Sequence, residues 1–370
     1  MHFHHLHFYV ENVTFWRRWF IDKMSFLPLR EECALKSQAT NNHTDPYESL
    51  IQGNVEIRLS GREGTAILGE NPSEVGDYLR NHPSGLADVG FSSDRFDQVV
   101  NHAIAHGATL TKPIHRNQRG QRQCQFQGWA DLRHTLVEIT EPAHIDPTSL
   151  LQTIDHVVIN VPKGELMAAT DWYRQIFSLN YGQRFDINTA SSGLCSQVLV
   201  HRDGSLQLPL NEPSSENSQI QEFLQHNRGA GVQHVALRSH HAVEAIARFK
   251  HQGLELIDVP DNYYEKLSLK ADCPLRDLSA VSRQQLLVDW AEGGEQGMLL
   301  QTFTKPIFTE PTFFFEIIER GGYLKNGKPE VAQGFGEGNF QALFEAIERS
   351  QIERGSLKSA QETGDKPQRP

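Results

Sequence analysis

Two histidines and one glutamate form the most chemically suggestive set in the sequence. His156, His234 and Glu316 each stand in an apolar stretch whose residue types are typical of a β-strand. Two imidazoles and one carboxylate converging on a cleft leave neighbouring metal positions open, an arrangement associated with non-haem Fe(II) and O₂, whereas a structural zinc site would use four closed ligands. The alternative is that these are ordinary core and edge residues. However, a charged glutamate in the apolar run 313–318 needs a partner, and a metal ion is such a partner.

Strand alternation extends this candidate site into a pocket. Phe314 is expected on the same strand face as Glu316, and Gln301 and Phe303 share a face of the preceding strand. Phenylalanines stack on planar rings and amides hydrogen-bond to their substituents. The pattern therefore predicts a cavity for an apolar ring that carries polar groups, unless the phenylalanine-rich strand is simply core.

The elements that must position these residues occur twice in the chain. A strand at 5–10 and a helix at 14–24 are repeated by a strand at 156–161 and a helix at 165–179. A second pair repeats the pattern: strands at 85–91 and 231–237 precede helices at 95–106 and 242–251, and a glycine suited to a left-handed C-cap follows each helix. This predicts an α+β protein of two tandem halves, with mixed sheets rolled around a cleft in each.

Only the second half keeps a complete ligand set. The first half offers His5, Asp88 and Glu138 at the recurring strands, with one imidazole lost, and we do not expect a second metal site there. A tract of histidines near the N-terminus is interpreted as structural or solvated, because strand alternation places its members on opposite faces; these are His2, His4, His5 and His7.

Composition limits the function classes. The 370 residues carry a formal charge of −11, with 38% hydrophobic and 22% charged residues, which is typical of a packed globular protein without a nucleic-acid surface. The four cysteines form no Cys-x-x-Cys pair and no apolar run is long enough to span a membrane, so we expect a cytoplasmic protein without membrane contact. The predicted domains are 1–145 and 150–353, joined near 141–148, and residues 354–370 are predicted to be a disordered tail.

Glycine-rich motifs do not suggest nucleotide binding. There is no Gly-x-Gly-x-x-Gly in a dinucleotide context and no Walker A sequence. The stretch 334–339 matches neither phosphate loop, and by itself it predicts only a loop before the last helix.

A series of ordered motifs in residues 150–350 resembles the 4-hydroxyphenylpyruvate dioxygenase family. The motifs are Ile154-Asp-His-Val-Val158, Asp171-Trp-Tyr173, Pro209-Leu-Asn-Glu-Pro213, Gly229-Ala-Gly-Val-Gln-His-Val-Ala236, Pro260-Asp-Asn-Tyr-Tyr264, Leu300-Gln-Thr-Phe-Thr-Lys-Pro306, 311–320 and Gly334-Phe-Gly-Glu-Gly-Asn-Phe340. The first half resembles the N-terminal domain of that family more loosely, and that domain does not bind the catalytic metal.

The resemblance implies a fold and a set of site residues. The fold is the vicinal-oxygen-chelate fold, with two tandem domains of paired βαβββ modules that form open, barrel-like mixed sheets. One Fe(II) per subunit would be held by His156, His234 and Glu316. The catalytic residues would be Gln301, Phe314 and Asn211, and the substrate pocket would contain Ser196, Asn211, Gln219, Gln233, Gln301, Phe303, Phe314, Phe335, Asn339 and Phe340. Strict strand alternation would point Gln233 away from the face of His234. The loop 334–340 and a helix at 341–352 would cover the cleft.

The implied activity is the conversion of 4-hydroxyphenylpyruvate and O₂ to homogentisate and CO₂, in tyrosine catabolism or in the supply of homogentisate for quinones and tocopherols, by a homodimer or homotetramer. Three alternatives remain open: 4-hydroxymandelate synthase, another enzyme of the same fold such as an extradiol dioxygenase or a glyoxalase-type isomerase, and a non-catalytic binding protein of this fold. The last would not need His156, His234 and Glu316.

Overall fold

Two eight-stranded sheets organise the protein. The computed structural model describes residues 1–29, 47–62, 74–117, 119–140, 146–188, 192–270, 272–275, 277–290 and 297–355, except the side chains of Asp261, Glu337, Phe340, Gln341, Ser350 and Glu353. Much of the predicted joint at 141–148 and most of the predicted tail lie outside these residues.

The first sheet contains the strands β1 (His2–Tyr9), β2 (Leu27–Pro28), β3 (Glu48–Gln52), β4 (Val55–Ser60), β5 (Gly85–Ser93), β6 (Leu110–Arg116), β7 (Arg122–Gln127) and β8 (Arg133–Glu138). Their order in the sheet is β2-β3-β4-β1-β5-β8-β7-β6. The associated helices are α1 (Val13–Met24), α2 (Glu74–Asn81) and α3 (Phe96–Ala105).

The second sheet contains the strands β9 (Thr153–Asn160), β10 (Asn180–Asn188), β11 (Gly193–Val200), β12 (Gln207–Pro213), β13 (Gly231–Arg238), β14 (Leu287–Trp290), β15 (Met298–Phe303) and β16 (Phe314–Arg320). Its helices are α4 (Leu166–Phe177), α5 (Gln219–Asn227), α6 (Ala242–His251), α7 (Asp261–Ser268) and α8 (Ser279–Arg283). A hairpin of β17 (Gly322–Lys325) and β18 (Lys328–Val331) and the long helix α9 (Glu337–Glu353) follow.

The two sheets have the same topology. The second is ordered β10-β11-β12-β9-β13-β16-β15-β14, so each strand corresponds to the one eight places earlier in the chain. In both sheets an antiparallel central pair, β1 with β5 or β9 with β13, is flanked by parallel neighbours. This confirms the predicted α+β class and the tandem βαβββ modules.

Local sequence explains the repeated helices. The Asn12 side chain caps α1 by accepting a hydrogen bond from the Phe15 N–H (2.8 Å), and Ser25 ends the helix in the left-handed conformation. α4 ends in the same way at Ser178. Both helices cover one face of a sheet with large apolar side chains.

One hydrophobic cluster extends across both sheets. The ring of Phe8 on β1 is fully buried, 5.2 Å from the ring of Phe313 and 5.7 Å from that of Phe20. Trp16 on α1 contacts Phe308, with ring centroids 4.5 Å apart. The two halves therefore share apolar packing, and the division into domains 1–145 and 150–353 stays a prediction.

The last helix begins earlier than the sequence predicted. The stretch 334–340 was expected to be a loop, but α9 starts at Glu337. The Asp289 carboxylate from β14 accepts a hydrogen bond from the Gly338 N–H (3.2 Å), which satisfies one of the free donors of the first helical turn. The helix packs against β14 and α5. Within the described ranges, no helix has the length and apolar character needed to cross a membrane.

Candidate active site

Three neighbouring strands at the centre of the second sheet bring the predicted ligands together. His156 of β9 and Glu316 of β16 lie opposite Ala236 of β13 from its two sides, and His234 lies two residues before Ala236. A Glu316 oxygen lies 3.2 Å from His156 Nε2 and 3.7 Å from His234 Nε2.

These three residues are the only group of three or more potential metal ligands in the part of the chain that the structure describes. One ligand atom from each lies within 4.8 Å of the other two. His156 and Glu316 are buried, while His234 is partly buried. Two imidazoles and one carboxylate suit a divalent metal ion with open positions for further ligands.

Electrostatics of the three ligands favours a cation. Burial alone would lower the pKa of His156, but the carboxylates of Glu316 and Asp155 outweigh it and raise the pKa to about 9. Burial, together with the charge of His156, lowers the pKa of His234 well below its ordinary value. A metal ion that binds here displaces the proton on His156, so metal binding is expected to release protons.

A cavity of about 80 Å³ adjoins the three ligands. It is lined by eight of the ten predicted pocket residues: Ser196, Asn211, Gln219, Gln233, Gln301, Phe303, Phe314 and Phe335. Phe314 stacks on the ring of His234, with centroids 4.8 Å apart, and the ring of Phe335 lies 5.2 Å from that of His156. The cavity is thus aromatic beside the ligands.

The other two predicted pocket residues stand differently. Asn339 is buried but does not line the cavity, because the first turn of α9 directs its amide to Gln301 Oε1 (2.9 Å). Phe340 belongs to α9, and its side chain is outside the described residues. The amide of Gln301 is engaged as well, since its Nε2 donates to Glu316 Oε1 and to the Phe335 carbonyl, each at 2.9 Å.

A strand irregularity explains how Gln233 reaches the cavity. Between Val232 and His234 the pairing of β13 with β9 shifts by one residue, so Gln233 is the extra residue of a bulge. Its amide oxygen lies 3.2 Å from His234 Nδ1. Strict alternation predicted the opposite face for Gln233, and the bulge removes that conflict.

Sequence reasoning missed the groups behind His156. Asp155 is the extra residue of a second irregularity, on β9, and its carboxylate lies 3.0 Å from His156 Nδ1. The buried guanidinium of Arg320 binds both oxygens of that carboxylate, at 2.7 and 2.8 Å. A signal was present, because Arg320 is an arginine at the end of an apolar strand and a buried guanidinium requires an acidic partner.

Apolar residues of α9 were also missed. The cavity is lined on the side of α9 by Leu343, Phe344 and Ile347. Phe344 packs in a cluster with Leu194 and Phe223, so α9 is held over the site by apolar contacts.

The first half uses the matching positions differently. The sequence predicts Glu138 as the counterpart of Glu316, but strand register places Glu138 opposite Ser93, and Thr135 has the matching position. The hydroxyl of Thr135 donates to the Asp88 carboxylate, while Glu138 pairs with Arg122 (2.7 Å). The prediction of Glu138 is wrong because the pairing of β8 with β5 begins at a different residue from that of β16 with β13.

In the first half, an arginine guanidinium contacts His5, the counterpart of His156. His5 Nε2 lies 3.2 Å from Arg58 Nη1, and His5 Nδ1 lies 2.9 Å from His4. His4 stands where the second half has Asp155. A larger cleft of about 340 Å³ in this half is lined by paired charges such as Glu74 with Lys112 (2.6 Å).

Comparison with known proteins gives one consistent result. Residues 153–270 match the family model described as the Glyoxalase/Bleomycin resistance protein/Dioxygenase superfamily. A 4-hydroxyphenylpyruvate dioxygenase from Danio rerio is 32% identical over 96% of this chain and 92% of the relative. One from Legionella pneumophila is 35% identical over 76% of this chain and 80% of the relative.

A solved structure agrees on the fold. A triple mutant of 4-hydroxymandelate synthase from Streptomyces coelicolor superposes with a TM-score of 0.76 at 24% identity, covering 95% of this chain and 98% of that one. The vicinal-oxygen-chelate fold is therefore established for both sheets. Because relatives of this identity match the chain nearly from end to end, it belongs to the 4-hydroxyphenylpyruvate dioxygenase family.

Proposed function

We propose that this protein converts 4-hydroxyphenylpyruvate and O₂ to homogentisate and CO₂, using one Fe(II) per chain. One observation carries the proposal: the ligand set of His156, His234 and Glu316 opens onto an aromatic cavity, in a chain of the 4-hydroxyphenylpyruvate dioxygenase family.

The residues present fit an Fe(II) ion. His156, His234 and Glu316 supply two neutral nitrogens and one anionic oxygen and leave further positions open. The ion would supply binding positions for the 2-oxo acid and for O₂ and would pass electrons from the 2-oxo acid, which is the reductant, to O₂. Asp155 forms a hydrogen bond with His156 Nδ1, and Gln301 donates one to Glu316 Oε1. These hydrogen bonds fix the orientation of both ligands.

The cavity residues fit the aromatic end of the substrate. Phe303 and Phe314 form an edge-to-face pair 6.2 Å apart and provide the wall against which a phenyl ring packs. Gln219 Oε1 is buried and, within the described part of the chain, has no hydrogen-bond partner. A phenol hydroxyl is a donor that would satisfy it, and Asn211 and Ser196 would add polar contacts on the same side.

A neighbouring cavity would provide a route to the site. This second cavity of about 210 Å³ shares lining residues such as Gln219 and Phe314 with the first. Its wall carries three cationic side chains and two carboxylates, which are Lys305, Arg349, Arg354, Glu222 and Asp258. The excess of positive charge would attract an anionic 2-oxo acid. When α9 is in place, its apolar residues keep bulk water from the reacting atoms.

The proposal also covers the assembly and the compartment. We propose a homo-oligomer, a dimer or a tetramer, located in the cytoplasm. Light scattering of the purified protein and fractionation of the source cells test these two points, and a monomer or a secreted protein would contradict them.

The decisive experiment is product analysis. Protein reconstituted anaerobically with Fe(II) is given 4-hydroxyphenylpyruvate and O₂, and the products are identified by mass spectrometry. Homogentisate with one CO₂ per O₂ is expected. 4-Hydroxymandelate would assign the synthase activity instead, and stoichiometric metal without turnover would mean that the substrate is another 2-oxo acid or a catechol.

A ligand variant serves as the control. Glu316→Gln keeps the shape of the side chain but removes the anionic oxygen, so we expect loss of turnover and a metal affinity lowered at least 100-fold, because even residues that only support a ligand change affinity 10–100-fold. Normal turnover in this variant would refute the site assignment.

A further inference from the structure

A buried ion cluster lies directly behind His156. The carboxylate of Asp155 accepts hydrogen bonds from His156 Nδ1 (3.0 Å), from Arg320 (2.7 and 2.8 Å) and from Arg238 Nε (2.8 Å). The side chains of Asp155 and Arg320 are 0% and 2% exposed, whereas that of Arg238 is 30% exposed. Asp155 and Arg320 are therefore an obligatory buried pair, and Arg238 is an outer partner.

Arg320 also holds a different part of the chain. Its Nη1 donates to the carbonyls of Ala332 and Gly334, each at 2.9 Å. These residues belong to the segment 332–336, which connects β18 to α9. The guanidinium of Arg320 thus binds both the Asp155 carboxylate, which contacts the proposed ligand His156, and the backbone of the segment that precedes α9.

A second connection joins the same two regions. Gln301 Nε2 donates to Glu316 Oε1 and to the Phe335 carbonyl, and Gln301 Oε1 accepts from Asn339 at the start of α9. Two of the three proposed ligands are consequently tied to the segment 332–336 or the first turn of α9. The structure offers no comparable connection for His234 among the described residues.

Arginine is required for the first connection on physical grounds. A guanidinium presents five N–H donors in a fixed plane, so it binds two carboxylate oxygens and two carbonyls together. A lysine ammonium is a point charge on a flexible stem and cannot reproduce this geometry. Leaving the Asp155 carboxylate without its buried partner is costly and would free His156 to rotate.

We propose that Arg320 is a positioning residue that couples occupancy of the metal site to the order of the segment 332–336. The proposal rests on the proposed metal site. Because coupling between two events is reciprocal, metal binding orders the segment, and loosening the segment weakens metal binding. The segment 332–336, which precedes α9, is therefore fully ordered over the cavity only when the metal site is occupied.

The test compares Arg320→Lys with Arg238→Lys. Arg238 binds the same carboxylate but no carbonyl of the segment 332–336, so it is the matched control. Two quantities are measured for each protein: the Fe(II) affinity by anaerobic competition with a chelator, and the hydrogen-exchange rates of the amides in 332–336 with and without Fe(II).

We expect wild-type protein to bind one Fe(II) and to show slower exchange in 332–336 when it is bound. Arg320→Lys should bind Fe(II) about 10–100-fold more weakly, and its exchange in 332–336 should no longer respond to the metal. Arg238→Lys should keep the response and lose less than threefold in affinity. If Arg320→Lys does not fold, Asp155→Asn breaks the same connection from its other end and should also lose both effects.

The outcomes separate this inference from the proposed function. If the wild type binds Fe(II) but Arg320→Lys matches it in affinity or keeps the metal-dependent exchange, the coupling is refuted and the proposed function stands. If Arg238→Lys loses the response equally, any disturbance of the contacts of the Asp155 carboxylate produces the effect, and the assignment to Arg320 is wrong. A wild type that binds no metal overturns the proposed function and the coupling together.

Discussion

The buried amide oxygen of Gln219 leads to a prediction with two opposite effects. Gln219 begins α5, is 5% exposed and lines the cavity, and its Oε1 is buried without a hydrogen-bond partner among the residues that the structure describes. A buried acceptor left unsatisfied costs about 1–3 kcal/mol of stability. Gln219→Met removes this acceptor with little change in side-chain size, so we expect the free energy of unfolding to rise by up to that amount.

Substrate recognition should change in the opposite direction. If the substrate hydroxyl donates to Gln219 Oε1, the variant loses about 1–3 kcal/mol of recognition, which corresponds to a roughly 5- to 150-fold change. The assay is the ratio of kcat/KM for 4-hydroxyphenylpyruvate and phenylpyruvate, which lacks the hydroxyl. We expect this ratio to fall by that factor in Gln219→Met, chiefly through the hydroxylated substrate.

A matched variant isolates the role of the cavity. Gln52 on β3 of the first half also has a buried Oε1 without a partner among the described residues, although its Nε2 donates a long hydrogen bond to the Ser25 carbonyl (3.5 Å), so Gln52→Met removes a comparable buried acceptor away from the site. It should raise stability similarly, as measured by urea unfolding, and leave the substrate ratio unaltered. A Gln219→Met protein that is less stable and still discriminates fully between the two substrates would refute the reasoning.

Two further predictions concern stability. Burial lowers the pKa of His134 from 6.5 to about 4, so the unfolded chain binds a proton at this histidine before the folded protein does. The free energy of unfolding should therefore fall by about 1.4 kcal/mol per pH unit as the pH falls from 6.5 towards 4. Urea unfolding at several pH values should show a smaller pH dependence of this free energy in His134→Gln, and an unchanged pH dependence would contradict this. Phe8 is fully buried and contacts Phe20 of its own half and Phe313 of the second half. Phe8→Ala should therefore cost about 3–5 kcal/mol of the free energy of unfolding, while both halves still unfold in one transition. Two separate transitions, monitored by circular dichroism and tryptophan fluorescence, would show that the shared packing does not couple the halves.

The pairing of the strands explains why one half carries a ligand set and the other does not. His5 and Asp88 occupy positions that match His156 and His234. In the first half the matching imidazole nitrogen contacts the Arg58 guanidinium (3.2 Å), so a built-in cation stands where the second half would bind a metal ion. The same sheet topology can therefore carry a metal-binding site or lack one, depending on a few side chains on the central strands.

The amino-acid sequence by itself determined the elements and the candidate ligands. The period of the apolar residues gave the helices at 13–24, 166–177 and 242–251 to within two residues at most boundaries, because this period reflects local geometry. The alternation in Phe314–Arg320 predicted that Phe314 and Glu316 share a face, and both line the cavity. Comparison of the two halves then selected His156, His234 and Glu316, because only the second half has two histidines and a glutamate at the recurring strands. This choice requires the residue types alone and no knowledge of the tertiary structure.

Only the tertiary structure decided the supporting groups. The bulges at Asp155 and Gln233 depend on how β9 and β13 pair, and pairing register is a property of two distant segments, which no single strand encodes. For the same reason the counterpart of Glu316 is Thr135 and not Glu138. The first turn of α9 donates a backbone hydrogen bond from Gly338 to Asp289, which lies on β14 and is distant in sequence. The bond from Arg320 to Asp155 joins residues far apart in the chain, and folding brings them together because neither charge can be buried alone.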